Sequence, residues 1–143
     1  MSLNTLRSHI ESRIATEFAS SPALQVSYEN VPFTPPNDAS WIQTFITWGD
    51  STYATILTTS SRGSGDGFER RNGVLTFNVF SPRGQGPGAA LVIAQRCIDL
   101  FSRLKLENII FDAANGPRTS TPAAPEGFHQ SQVTISFTAF EQS

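Results

Sequence analysis

Two stretches of the 143-residue sequence alternate apolar and polar side chains. In residues 74–80 (VLTFNVF), Leu75, Phe77 and Val79 alternate with Thr76 and Asn78, and residues 133–139 (VTISFTA) alternate without a break. Because successive side chains of a β-strand point to opposite faces of the sheet, this alternation predicts strands with one buried face and one wet face. Such strands are typical of antiparallel sheets, since strands of a parallel sheet covered on both faces are apolar throughout.

Two other segments follow the period of an α-helix. Near the amino terminus an apolar residue recurs every fourth position, and a second segment, 89–104, alternates spacings of four and three. The residues concerned are Leu6, Ile10, Ile14 and Phe18 in the first segment, and Ala90, Ala94, Cys97, Phe101 and Leu104 in the second. Both patterns predict amphipathic helices whose apolar stripes face the core, and Leu91 and Ile98 are expected to widen the stripe of the second helix.

The remaining strands are predicted from β-branched and aromatic residues. Short strands are expected at 26–30 and 106–112. Residues 40–48 and 52–59 are also rich in β-branched and aromatic residues, and they are separated by Gly49-Asp50-Ser51, a typical turn sequence. This arrangement predicts a hairpin with those two arms.

Three segments lack the composition of a core. Residues 60–73 combine glycines with charges, and residues 113–127 are rich in Pro, Ala and Thr, so both are predicted to be flexible loops. Residues 31–36 contain three prolines, which cannot donate to a strand ladder, and are expected at a sheet edge or in a crossing loop.

The order of these elements predicts the fold class. Helix, four strands, helix and two strands favour a single α+β domain, residues 1–143, with a mainly antiparallel sheet and both helices packed on one face. The opposite face is expected to be polar, rich in threonine and open to a partner.

Charge and cysteine content exclude several classes of protein. Ten basic and twelve acidic residues give a net charge of −2, which excludes a globally basic nucleic-acid-binding protein. One cysteine, Cys97, excludes an internal disulfide and multi-cysteine zinc motifs and favours a reducing compartment. The amino terminus lacks the apolar core of a signal peptide, and the longest apolar run, 89–94, is far shorter than the about 20 residues of a membrane span.

One motif suggests chemistry. Gly84-Gln85-Gly86-Pro87-Gly88-Ala89 matches the glycine-rich G-x-G-x-x-A pattern of dinucleotide-binding proteins, and Asp112 ends a later predicted strand. The strand before the glycines carries Thr76 and Asn78, however, where a buried parallel strand would be apolar. A tight turn ahead of a helix explains the same residues. A nucleotide- or anion-binding enzyme that uses Gly84, Gly86 and Gly88 remains as one alternative.

Other catalytic or metal-binding patterns do not emerge from the sequence. The two histidines, His9 and His129, are far apart, and the acidic residues are scattered without a paired-carboxylate or metal-ligand spacing. Cys97 falls on the apolar stripe of a predicted helix, where a thiol packs as a small hydrophobic group. We therefore predict no catalytic residue, no metal and no cofactor.

Several short motifs stand in a fixed order along the chain: N-x-P-F, a proline pair, G-x-L-x-x-x-V-F-x-P-x-G-x-G, and an Ala-rich helix that ends near Phe101. The positions concerned are Asn30, Pro32, Phe33, Pro35, Pro36, Gly73, Leu75, Val79, Phe80, Pro82, Gly84 and Gly86. In their order and spacing these motifs resemble the tail terminator-like proteins of long-tailed bacteriophages. The resemblance covers roughly residues 5–140.

The resemblance implies a structural virion protein without catalytic residues. It implies an α+β subunit that forms a homohexameric ring, caps the last ring of tail tube protein, stops tube polymerisation and joins the tail to a neck or connector protein. DNA passes through the lumen of such a ring, and no membrane is involved. The implied location is the tail–neck junction of a virion assembled in the host cytoplasm. A head–tail connector or neck completion protein is the alternative, because its subunits also form rings without an active site.

The same resemblance directs attention to two segments as interfaces. We expect residues 31–40 and the loop 60–73 to become ordered on the tube end, with arginines of the loop paired to partner carboxylates. The candidate interface residues are Pro32, Phe33, Pro36, Arg62, Glu69, Arg70, Arg71 and Arg83.

Overall fold

The computed structural model describes residues 3–20, 23–36, 39–53, 68–82, 84, 88–120 and 128–142. Within these ranges it contains two helices and seven strands. In chain order the elements are α1 (Leu3–Glu17), β1 (Gln25–Ser27), β2 (Trp41–Tyr53), β3 (Phe68–Pro82), α2 (Gly88–Phe101), β4 (Lys105–Leu106), β5 (Ile109–Phe111), β6 (Asn115–Ser120) and β7 (Phe128–Gln142).

All seven strands form one curled sheet. Its order is β1-β2-β3-β7, and the far edge of β7 is shared by two neighbours. β6 pairs with the amino-terminal half of β7, while β5, followed by β4, pairs with the carboxy-terminal half. The β1–β2 pair is parallel and the other described pairs are antiparallel. The prediction of an α+β fold with a mainly antiparallel sheet is confirmed.

Both helices pack on the same face of the sheet, as their apolar stripes predicted. Their buried side chains form one cluster with Leu75, Phe77 and Val79 of β3 and with the alternating apolar residues of β7. Most of the apolar residues that the helical period assigned to the core are completely or almost completely buried, and Ile98 and Leu104 are half-buried. Leu91 is the exception: it is 49% exposed, so its assignment to the core-facing stripe of α2 is wrong. Since burial of one such aliphatic or aromatic side chain contributes about 1.5–3 kcal/mol, this cluster is the main source of stability.

Two arginines tie the carboxy-terminal ends of the helices together. Arg96 of α2 donates to the carbonyl oxygens of Glu17 and Ser20, both at 3.1 Å, and Arg13 of α1 donates to the carbonyl oxygen of Leu100 at 2.9 Å. The last carbonyls of a helix have no partner within the helix. Each helix therefore supplies the donor that the end of the other helix lacks.

The largest departure from the sequence prediction is the partner of β2. The chain does not turn at Gly49-Asp50-Ser51; β2 continues to Tyr53 and pairs with β3, from Trp41 opposite Phe80 to Tyr53 opposite Glu69. The predicted hairpin of 40–48 with 52–59 is therefore wrong as far as Tyr53, and 54–59 lie outside the described residues. The register shifts between Trp48 and Ser51, so the turn-like triplet forms a bulge. A bulge accepts the same small, polar residues as a turn but bends the strand without ending it.

Both predicted loops also contain strands. β3 begins at Phe68, so residues 68–73 are not a loop, and β6 occupies residues 115–120 of the second predicted loop. The segment 68–73 is polar in sequence, but its backbone pairs with β2 on one side and β7 on the other. Such two-sided pairing overrides a weak strand propensity. Residues 60–67 and 121–127 lie outside the described part of the chain.

The sheet face opposite the helices is less wet than the alternation predicted. Thr76 and Asn78, expected to face solvent, are only 5% and 6% exposed. The Asn78 amide nitrogen donates to Oε1 of Gln43, and its Oδ1 accepts a hydrogen bond from Nε2 of Gln132, both at 3.1 Å. The three residues stand in register on β2, β3 and β7. Because the curled sheet brings them together and their amides satisfy one another, burial of Asn78 carries little cost.

Candidate interaction surfaces

Four aromatic rings form a second buried cluster on the face opposite the helices. Phe33 packs on Trp41 with 5.1 Å between ring centroids, Trp41 stacks on Phe80 at 4.2 Å, and Phe128 meets Trp41 edge-on at 6.0 Å. Phe33, a candidate interface residue, is half-buried here and anchors the proline-rich segment to the sheet. The sequence motifs contained Phe33 and Phe80. The two residues come together on Trp41 because β2 pairs with β3, which places Trp41 opposite Phe80, whereas the predicted hairpin paired this strand with residues 52–59.

Ahead of Phe33, the chain forms an exposed tip. Asn30 has a φ of 59°, a left-handed conformation that asparagine tolerates better than most residues. The N–H of Val31 donates to the carbonyl oxygen of Tyr28 at 3.3 Å and closes the turn. Val31 is 55% exposed, and Pro32, another candidate interface residue, is exposed beside it. The tip thus presents apolar side chains to solvent.

A third candidate residue, Pro36, lies in an apolar groove along α2. The groove has a volume of about 490 Å³ and runs between the segment around Leu24 and Pro36 and the helix residues Ala89, Val92 and Ile93. Val92 is 65% exposed. Exposed apolar surface of this kind marks a binding face more often than isolated apolar residues do.

The three charged interface candidates of β3, Glu69, Arg70 and Arg71, lie on two different faces of the sheet. The guanidinium of Arg71 pairs with the carboxylate of Glu69 at 3.3 Å, because residues two apart in a strand share a face. Arg70 lies on the opposite face and is exposed. The predicted arginine cluster is therefore divided, and Arg71 is engaged within its own strand. Arg62 and Arg83 lie outside the described residues.

A polar slot of about 570 Å³ lies at the edge of the sheet, where β1 ends. Residues 28–32 form one wall, and Gln43, Thr44 and Phe45 of β2 form the other. The hydroxyl of Thr44 is buried, the residue being 3% exposed, and it has no hydrogen-bond partner within the described structure. Burial, together with the charge of Glu11, raises the pKa of Tyr28 beside the slot. Sequence reasoning missed this slot, which arises from the short pairing of β1 with β2.

The glycine-rich motif does not occupy the position that dinucleotide binding requires. In a dinucleotide-binding βαβ unit, the strand before the glycines lies in a parallel sheet. β3 instead has β2 and β7 as neighbours, and both run antiparallel to it. Gly84 has a φ of 86°, typical of a turn, and Gly88 begins α2, while residues 85–87 lie outside the described ranges.

Burial raises the pKa of the Cys97 thiol to about 12, so the group stays protonated at neutral pH. Among the residues that the structure describes, no group of three or more His, Cys, Asp or Glu side chains is placed to hold a metal ion. Neither described helix is long and apolar enough to cross a membrane.

Comparison with known proteins identifies the family. No curated protein matches the sequence. A solved structure that bears only a serial identifier as its name aligns with 97% of this chain and 96% of its own, with a TM-score of 0.66 and 22% sequence identity, which shows a shared fold. The family model described as phage tail terminator protein matches residues 5–137. The chain therefore belongs to the phage tail terminator family.

Proposed function

We propose that this protein forms a homohexameric ring that caps the end of a phage tail tube, stops its polymerisation and joins the tail to the neck. The match to the family model over residues 5–137 is the observation that carries the proposal. The family is structural and non-enzymatic, which makes the chain a structural component of a phage tail.

The surfaces of the subunit support this role. In a closed ring each copy uses two different patches for its two neighbours, and a capping ring needs further surfaces for the tube and the neck. The described part of the chain offers the α2 groove with Val92 and the exposed tip at Val31 and Pro32. It also offers the outer strand ends, by which we mean the carboxy-terminal ends of β2 and β7 and the amino-terminal end of β3, which lie side by side. We assign the outer strand ends and the proline-rich segment to the tail tube protein.

Arg70 is the charged residue best placed for the tube contact. It is exposed near the amino-terminal end of β3, whereas Arg71 is paired with Glu69. An arginine that is free to approach a partner carboxylate can form a bidentate ion pair. We propose that Arg70 makes such a pair with the tube protein, on the virion at the tail–neck junction.

Tube polymerisation tests both proposals. Purified tail tube protein is polymerised with increasing amounts of this protein, and tube lengths are measured by electron microscopy. We expect shorter tubes with a hexameric ring at one end. The Arg70→Glu variant should cap at least tenfold less efficiently, with Arg103→Glu, an exposed position after α2, as the matched control. If the wild-type protein leaves tube length unchanged, the capping proposal is wrong; if Arg70→Glu caps normally, only the role of Arg70 is wrong.

A further inference from the structure

We infer that neighbouring copies join through their sheets, with β6 of one copy lying along the outer edge of β2 in the next, beyond the end of β1. The inference rests on the proposed ring and names the contact that would hold its subunits together. It follows from two open strand edges at opposite ends of the sheet and from the charges beside them.

The first open edge belongs to β2. This strand has 13 residues, but β1 pairs only with Trp41, Ile42 and Gln43. From Thr44 onward the outer edge of β2 has no strand partner in the described structure. The unpaired N–H and C=O groups of such an edge are a template for another strand.

The slot described above lies along this edge and is polar enough to receive a backbone. It separates β2 from the tip at 28–32, in the position that a further strand, about 4.8 Å from β2, would occupy. Gln43, Thr44 and Phe45 of β2 line the slot, and from Thr44 onward the backbone of this edge has no strand partner in the described structure.

The second open edge belongs to β6, at the other end of the sheet. β6 pairs with β7 through Asn115 and residues 118–120, and its opposite edge has no strand partner among the residues described. Pro117 has no N–H and Gly116 has a φ of 103°, so regular pairing on the free edge is expected from Arg118 onward. β4, the other terminal strand, has only two residues and offers a shorter template.

Charge favours the contact between unlike edges. Glu29 lines the β2 slot and supplies its acidic charge, whereas Glu11 of α1, in the crevice beside Thr44, is paired with Arg7 at 3.0 Å. Arg118 is exposed on β6, in register with Gln132. Two β2 edges placed together would bring the Glu29 carboxylates of two copies close to each other, whereas β6 on β2 brings Arg118 to Glu29. A contact between unlike edges is the kind that closes rings.

Hydrogen exchange on assembled rings tests the pairing directly. The amides among 44–48 in β2 and 118–120 in β6 that point away from β3 and β7, respectively, should exchange at least tenfold more slowly in the assembled protein than in the monomer. β4 provides an internal control, because its amides should not change. Protection of 44–48 that appears only with tail tubes and without protection of β6 would mean that a tube peptide occupies the slot, and would overturn the inference.

Charge reversal tests the partner residues. Glu29→Arg and Arg118→Glu should each weaken assembly at least tenfold, as measured by sedimentation and native mass spectrometry, and the double variant should recover it. Glu107→Arg, at an exposed position between β4 and β5, is the matched control. Circular dichroism on every variant ensures that a loss of assembly is not a loss of folding.

Cross-linking separates this inference from the proposed capping function. Glu29→Cys and Arg118→Cys are introduced together with Cys97→Ala, and a short bis-maleimide is added to free protein and to capped tubes. We expect links between position 29 of one copy and position 118 of the next. Capped tubes without such links overturn the inference and leave the capping function intact. Linked rings that do not cap tubes overturn only the function, and a protein that stays monomeric in solution and at tube ends overturns the inference.

Discussion

The ring of Phe137 lies directly over Gly73, its partner across the β3–β7 pair: a Cβ atom at position 73 would stand only 2.9 Å from Cε1 of that ring. Trp48 of β2 meets the same ring edge-on, with 6.0 Å between centroids. The absence of a side chain at Gly73 therefore lets Phe137 lie across the neighbouring strand and reach Trp48. A glycine in a strand interior often marks such a close approach.

We expect Gly73→Ala to destabilise the protein, because the added methyl group must displace Phe137 from its contacts. Overpacking of this kind costs about 1–3 kcal/mol in the free energy of unfolding, measured by urea titration. Gly88→Ala is the matched control, since a Cβ atom there has no heavy atom within 4 Å. Combining Gly73→Ala with Phe137→Leu should cost less than the sum of the two single changes. If Gly73→Ala is no more destabilising than Gly88→Ala, this account of the site is wrong.

Arg96 is expected to contribute to stability through geometry as well as charge. Its guanidinium stands 4.6 Å above the ring of Phe18 and donates to the carbonyl oxygens of Glu17, the last residue of α1, and of Ser20 beyond it. Its ion pair with the Glu17 carboxylate spans 3.4 Å. A lysine keeps the charge but not the planar group with several fixed donors. Arg96→Lys should therefore lower the free energy of unfolding by about 1.5–3 kcal/mol, since hydrogen bonds to charged groups contribute about that much.

The control for Arg96 is an exposed ion pair. Arg7 pairs with Glu11 one turn along α1, with 46% of the Arg7 side chain exposed. Such surface pairs contribute about 0.3–0.5 kcal/mol, so Arg7→Lys should have a much smaller effect than Arg96→Lys. Equal effects in urea titrations would contradict a special role for the interhelical arginine.

The parts of the fold that the sequence predicts are those set by local periodicity. The spacing of Leu6, Ile10 and Ile14 marks the buried side of α1, and the alternation from Val133 to Ala139 marks that of β7. Each pattern reports a local backbone period, which a single segment contains in full. The two helices and their common face follow from these patterns without knowledge of the strand order.

Long-range pairing explains what the sequence did not predict. Gly49-Asp50-Ser51 fits either a turn or a bulge, and the partner strand decides between them. The polar segment 68–73 becomes a strand because it has neighbours on both sides. The candidate site depends on the same pairing: the division of Arg70 from Arg71 and the slot beside Thr44 both follow from strand registers that the sequence does not specify.

The buried thiol of Cys97 predicts a pH dependence of stability. Burial raises its pKa from the ordinary value of 9.0 to about 12, so the unfolded chain loses this proton first as the pH rises. The contribution to stability is complete below about pH 9 and is lost as the pH approaches 12. The unfolding free energy of wild type should fall more steeply over this window than that of Cys97→Ala.

A labelling experiment checks the same group independently. At pH 8 a thiol-specific reagent should label wild type only at the rate of unfolding, and labelling should become rapid in urea. Fast labelling of the folded protein, or identical pH profiles for wild type and Cys97→Ala, would contradict burial of the thiol.

The α2 groove provides the last prediction. Val92 is 65% exposed and lines the groove, so it makes little contact within its own chain. Val92→Asp should change the free energy of unfolding by no more than about 0.5 kcal/mol, as is usual for surface substitutions.

If the groove binds a neighbouring copy, the tube or the neck, the new charge would be buried unpaired in the complex and should weaken ring formation or tube capping at least tenfold. Ser8→Asp, an exposed position on α1, places the same charge away from the groove. Normal assembly and capping by Val92→Asp would show that the groove is not an interface.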